Sequence, residues 1–189
     1  TGGELTCTKT SVTLSATAVT GASYVWKRGT TEVGTTREVS VSVAGTYTVT
    51  VTFANGCTST ATAVVTEDNN TPTITASGGE LTCTTTSVTL SATAVTGASY
   101  VWKRGTTDVG TTREVSVSVA GTYTVTVTFA NGCTSTATAL VTEDKNTPTI
   151  TATGGELTCT KTSVTLSATA VTGASYVWKR GTTEVGTTR

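Results

Sequence analysis

The chain of 189 residues has no histidine and no methionine, and only two prolines, two phenylalanines, five tyrosines and three tryptophans. Without histidine, the commonest general base and the commonest imidazole metal ligand are both missing. The acids that remain fall mostly in turns or at strand ends, as at Glu32 and Glu67-Asp68. No nucleophile–base pair or ligand cluster can be put together from them, so an enzyme is not expected. Charge of one sign is missing too. Twelve basic residues balance twelve acidic ones, which removes the electrostatic case for nucleic acid or an acidic membrane as partner. No apolar run approaches the ~20 residues of a membrane span, so no direct insertion of this segment in a membrane is expected. The first residues, TGGELTCTKT, carry no apolar signal-peptide core, although a start inside a repeat makes that absence uninformative.

What the chain does have is threonine and repetition. Threonine supplies roughly three residues in ten, and with valine it favours half-buried pleated surfaces, which predicts an all-β protein. Shifted by 76 residues the sequence meets itself, with TGGELTCT at Thr1, SGGELTCT at Ser77 and TGGELTCT at Thr153. The first two copies differ at five positions only: Thr1/Ser77, Lys9/Thr85, Glu32/Asp108, Val64/Leu140 and Asn69/Lys145. Residues 153–189 repeat residues 1–37 unchanged. The expected organisation is a first repeat at 1–69, a second at 70–145 and a partial third at 146–189, a window from a longer array. The partial copy has too few strands to bury a core by itself.

Period-two alternation marks the strands. Val12, Leu14, Ala16 and Ala18 share one face, as do Val39, Val41 and Val43, and then Tyr47, Val49, Val51 and Phe53. Asn55-Gly56 predicts a tight hairpin with positive φ at both residues. The strand after it sets Cys57, Ser59, Ala61, Ala63 and Val65 on the core face. Six or seven short strands per unit predict a two-sheet sandwich. Residues 71–77 (TPTITAS) read as a first strand or a linker, and residues 28–36 as an edge strand or a loop.

Five cysteines allow more than one pairing. The expected scheme closes Cys7–Cys57 and Cys83–Cys133 inside each repeat and leaves Cys159 unpaired through truncation, because a unit that folds alone needs its own staple. The alternatives are Cys57–Cys83 with Cys133–Cys159, stapling neighbours, or free thiols in a cytosolic protein. Oxidised cysteines predict a location outside the cytosol.

The run Gly45-Thr46-Tyr47-Thr48-Val49-Thr50-Val51-Thr52, followed by Asn55-Gly56-Cys57-Thr58, resembles the closing hairpin of immunoglobulin-like and PKD-like repeats. It is especially similar to those of giant cell-surface adhesins of Bacteroidota, including SprB-type gliding adhesins. The resemblance implies tandem immunoglobulin-like β-sandwiches, export by the type IX secretion system and an extracellular, cell-surface location. It departs from antibody domains in placing Tyr47 ten residues before Cys57 rather than two. The cysteine therefore lies beyond the hairpin turn, and the bridge is expected to tie the first strand region to the last.

Weaker candidates are weighed beside their plainer readings. Glu67, Asp68 and Glu80, with Asn69 and Asn70, offer hard oxygen ligands for calcium at a junction. Lys145 stands where Asn69 does in the first junction and argues for simple soluble turns, so no cofactor is expected. The pair Lys27-Arg28 is a solvated strand end. The rows Thr48, Thr50, Thr52 and Thr58, Thr60, Thr62 form an uncharged outer surface rather than an ice-binding plane, since sandwich sheets twist. The sequon Asn69-Asn70-Thr71 is absent from the second repeat. The expected function is a structural stalk, filament or adhesin segment giving reach and mechanical continuity. Its partners would be neighbouring repeats of the same chain or other filament chains. The alternative is a ligand- or glycan-binding adhesin module with one site per repeat.

Overall fold

The computed structural model describes residues 1–189, and every regular element in it is a β-strand. The chain forms two compact units, Thr1–Asp144 and Lys145–Arg189. The first unit holds both complete repeats, each with its own hydrophobic core.

In the first repeat the strands are β1 (Gly3–Thr6), β2 (Val12–Ser15), β3 (Ser23–Arg28), β4 (Thr31–Gly34), β5 (Glu38–Val41), β6 (Gly45–Thr52) and β7 (Thr58–Asp68). One sheet has the order β1-β7-β6-β3-β4, and β2 pairs with β5 in the other. The alternation places Val12, Leu14, Val41, Tyr47, Val49, Ala63 and Val65 in the core as expected, whereas Ala18, Val43, Cys57, Ser59 and Ala61, expected on the same faces, are exposed. Val12, Leu14 and Val41 of the small sheet meet Trp26, Tyr47, Val49, Ala63 and Val65 of the large one. The opposite face of β6 and β7 is a threonine ladder, with Thr48↔Thr62, Thr50↔Thr60 and Thr52↔Thr58 side by side. Residues 28–36 resolve into the edge strand β4, joined to β3 by a turn in which Gly29 has φ +59°.

The hairpin after β6 differs from the expected two-residue turn. Only Gly56 has positive φ (82°). The Phe53 amide donates to Cys57 O at 2.8 Å and the Gly56 amide to Phe53 O at 2.9 Å. This is a longer loop built on a tight turn with glycine at the left-handed position. Asn55 stays at negative φ and instead accepts the Cys57 amide on Oδ1 at 3.1 Å.

The second repeat repeats this plan with β8 (Ala76–Ser77), β9 (Gly79–Thr82), β10 (Val88–Ala92), β11 (Ser99–Arg104), β12 (Thr107–Gly110), β13 (Glu114–Val117), β14 (Gly121–Thr128) and β15 (Thr134–Asp144). Its large sheet runs β12-β11-β14-β15-β9, and its small sheet runs β13-β10-β8. The end of TPTITAS is therefore a strand: Ala76 and Ser77 pair with Ala92 and Ser91, and Ile74 before them is buried.

The third segment contains β16 (Ala152–Thr153), β17 (Ser167–Ala168), β18 (Trp178–Arg180) and β19 (Thr183–Gly186), in two separate two-stranded pairs. No residue of it is buried. Leu166 is 46% exposed, whereas Leu14, at the same place in the same text, is 0% exposed. In the first repeat that face packs on β6 and β7.

The direction of β1 corrects the expected disulfides. β1 lies parallel to β7, with Leu5 opposite Glu67 and Thr6 opposite Asp68. Cys7 therefore leaves the sandwich at the end where β7 finishes, while Cys57 sits just before β7 begins. The 11 residues of β7, at about 3.3 Å each, hold the two apart by roughly 36 Å. A disulfide requires Cα atoms within about 7 Å, so Cys7–Cys57 cannot close. The same geometry separates Cys83, after β9, from Cys133, before β15. Cys57–Cys83 is ruled out as well, since these two lie at the outer ends of the paired repeats.

Candidate functional site

The residues with chemistry to offer gather where the first repeat meets the second. Parallel pairing brings Cys7 and Thr8 to the finishing end of β7, beside Asp68 and Asn70. The β14–β15 hairpin of the second repeat points its tip, residues 129–133, back at the same place. There Cys7 and Cys133 form a disulfide with Cα atoms 5.0 Å apart. Asn131 Nδ2 donates to Asp68 Oδ1 at 3.2 Å and to Asn70 O at 2.9 Å. Asn131 Oδ1 in turn accepts the Cys133 amide at 3.0 Å, which fixes the tip. Gly132, with φ +78°, lies so close to Thr8 that a Cβ there would approach the Thr8 side chain to 2.6 Å. In the first repeat the equivalent Gly56 has nothing within 4 Å of such a Cβ. The junction is thus a socket on one repeat filled by a hairpin tip of the next, closed by a covalent bond.

The bridge spans 126 residues and encloses most of both repeats. In the chain-entropy model, whose mechanism is disputed, closing so long a loop contributes about 5 kcal/mol. Cys57, Cys83 and Cys159 are free and exposed. Both complete pairings expected from the sequence thus give way to a single one across the junction. Asn131 and Thr8 were not singled out as functional by their sequence. The signal that bears on them is the Asn-Gly-Cys tip, taken together with the direction of the first strand.

The oxygen ligands proposed for calcium do not converge. Asp68 Oδ1 accepts the Asn70 amide at 3.1 Å as well as Asn131. Glu67 Oε1 accepts Asn69 Nδ2. Glu80 lies on β9 opposite Thr142, near the finishing end of β15. Asn131 precedes the start of that strand, so the length of β15 separates Glu80 from Asp68. No group of three or more acidic or cysteine side chains is arranged to hold a metal.

In the two complete repeats the tyrosines and tryptophans face inward. Trp26 is 1% exposed and donates Nε1–H to Thr36 O at 3.1 Å. Tyr24 is also buried; its hydroxyl accepts the Val19 amide at 2.9 Å and donates to Thr17 O at 3.1 Å. Tyr47 closes a corner by donating to Val43 O at 2.6 Å. A sugar-stacking platform would need such a ring on the surface.

No family model matches the chain, and no curated protein matches it. Among solved structures it is similar to three N-terminal domains of the highly immunogenic outer capsid protein (Hoc) of bacteriophage RB49. That match has 15% identity and a TM-score of 0.43, over 94% of this chain and 75% of that one. An I-band fragment of titin matches with 12% identity and a TM-score of 0.40, over 100% of this chain and 79% of that one. Fibronectin(III)-like modules of Clostridium thermocellum CbhA match with 12% identity and a TM-score of 0.32, over 75% and 90%. The chain's own strand order, tyrosine corners and pair of sandwich cores make it an all-β tandem array of immunoglobulin-like domains.

Proposed function

We propose that this chain is a load-bearing segment of an extracellular stalk or filament, of the kind its hairpin resembles in Bacteroidota surface adhesins. The observation that carries this reading is the covalent bond across the junction. A disulfide between one repeat's first strand region and the next repeat's hairpin makes the two sandwiches one mechanical body. The bond also points to an oxidising, non-cytosolic setting. Buried Tyr24 and Trp26, with Tyr100 and Trp102 in the second repeat, speak against the rival glycan-binding module, because these rings do not stand on the surface to stack a sugar.

Single-molecule extension of the chain from its two ends tests the reading. With the bridge closed, the 126-residue span between Cys7 and Cys133 stays out of the extended path. Adding a reductant is expected to release roughly 400 Å of new length, at about 3.3–3.6 Å per residue. Equal lengths before and after reduction would overturn the proposal. So would sugar binding by the oxidised chain, which would restore the adhesin-module reading.

A further inference from the structure

The tip that closes the junction carries a dipeptide with chemistry of its own. Asn131 is followed by Gly132, and a backbone amide with no side chain beside it is the least hindered nucleophile that can follow an asparagine. The junction itself demands this glycine. Gly132 has φ +78°, and a Cβ there would meet the Thr8 side chain at 2.6 Å. Where the disulfide joins the two repeats, the socket therefore installs the pair of residues that most readily forms a succinimide.

In the closed junction that reaction is blocked at each of its atoms. The nucleophile is the Gly132 amide nitrogen, and its N–H donates to Phe129 O at 2.9 Å. The leaving group is Asn131 Nδ2, held between Asp68 Oδ1 at 3.2 Å and Asn70 O at 2.9 Å. The carbonyl under attack is held through Oδ1, which accepts the Cys133 amide at 3.0 Å. The Phe129 amide closes the same loop on Cys133 O at 2.8 Å. Cys133 is 1% exposed and bonded to Cys7. Bringing Gly132 N onto Asn131 Cγ requires the turn to open and the side chain to leave the socket. While Cys133 is tied to Cys7, neither can happen without moving the two repeats apart.

We propose that Asn131 is a deamidation site gated by this junction, stable while the two repeats are locked and reactive once they part. In the open tip the Gly132 nitrogen attacks Asn131 Cγ, and its proton leaves with Nδ2 as ammonia, giving a five-membered succinimide. Water then opens the ring. Attack at the side-chain carbonyl gives an aspartyl residue. Attack at the main-chain carbonyl gives an isoaspartyl residue, whose main chain is one methylene longer. The balance is one water consumed and one ammonia released, with no oxidant or cofactor. Either product spoils the socket. A carboxylate lacks the N–H donors of the amide, so it meets Asp68 Oδ1 and Asn70 O as a third acceptor and brings like charge to Asp68. The isoaspartyl form also lengthens the chain just before Gly132, which displaces the tip from Thr8 and Cys7. Opening thereby becomes permanent: a junction held apart long enough is chemically marked and does not re-form its lock. The reaction asks nothing of where the chain resides or what load it carries, so it stands or falls apart from the stalk reading.

The test incubates the full chain in warm, neutral buffer in three states: oxidised, kept in a phosphine reductant, and reduced in denaturant. Peptide mapping by mass spectrometry follows ammonia loss and isoaspartate at Asn131. The rate should be lowest in the oxidised chain, higher in the reduced one and highest in denaturant. Oxidised and denatured chains should differ roughly tenfold or more, because protection scales with the fraction of time the tip is open. Asn55-Gly56 shares the dipeptide but stands at the far end of β7 from Cys7, so reductant should leave its rate unchanged. Reoxidising the partly reacted chain gives a second readout. Tips bearing aspartate or isoaspartate should be depleted roughly tenfold among those linked to Cys7, the effect of losing a hydrogen bond to a charged group. An oxidised chain that reacts at Asn131 as fast as the denatured one would overturn the proposal. So would a reductant effect that is absent at Asn131 or equal at Asn55, or reacted tips that recover the Cys7 link as well as unreacted ones.

Discussion

At the scale of the residue, one side chain appears in three settings. Trp26 and Trp102 are 1% and 0% exposed, and Trp178, within identical neighbouring text, is not buried. All three keep the same hydrogen bond, from the indole N–H to a carbonyl ten residues on. The bond is therefore local, and the burial comes from β6 and β14. Truncating Trp26 or Trp102 to Ala is expected to cost about 3–5 kcal/mol, whereas Trp178→Ala should cost under about 1 kcal/mol. Denaturant melts of the three variants measure this; equal losses would contradict it. The inward places of Leu14, Val41, Tyr47 and Val49 were legible in the sequence, because alternation assigns a face. The partner of Cys7 was not. Alternation says which side a residue faces, but neither which strand lies next to it nor in which direction.

At the scale of the element, the parallel first strand is what the sequence left open and what most of the architecture depends on. It enters through glycines where backbones almost touch: a Cβ on Gly78 would come within 2.0 Å of Leu140 O, and one on Gly2 within 1.9 Å of Val64 O. Neither glycine has positive φ, so the requirement is close approach rather than conformation. Gly78→Ala should push β9 off β15 and lower stability by about 1–3 kcal/mol. A thermal melt at or above the parent value would show that the strands can move apart freely. In TGGEL the first glycine of the pair is thus a contact point between strands. The hairpin was half legible. Asn55-Gly56 marked the turn, but a five-residue loop lets Asn55 bond the Cys57 amide instead of taking positive φ. TPTITAS was undecidable from its own text, because it is a strand only where a neighbouring β-strand stands open beside it.

At the scale of the whole molecule, each stretch of the repeated text packs according to the strands beside it. The second repeat takes Ile74 and β8, from residues 71–77 before it, into its own sandwich, so a repeat here is completed by what precedes it as well as by its own residues. The tandem sandwich class was legible because it follows from strand count and turn spacing. The covalent junction was not, since it joins residues 126 positions apart through the ends of two domains.

The Cys7–Cys133 bond also bears on how the protein survives being cut. Any peptide bond broken between these two residues leaves both pieces attached through sulfur. A surface protease that cuts after an exposed arginine such as Arg37 would therefore make a two-chain molecule without severing it. Limited proteolysis giving a single cut in this span should show one full-mass band without reductant and two fragments with it. Separation into fragments without reductant would mean that the cut lies outside the loop or that the bond is absent. In a setting rich in proteases, the first cut along most of this segment would be silent.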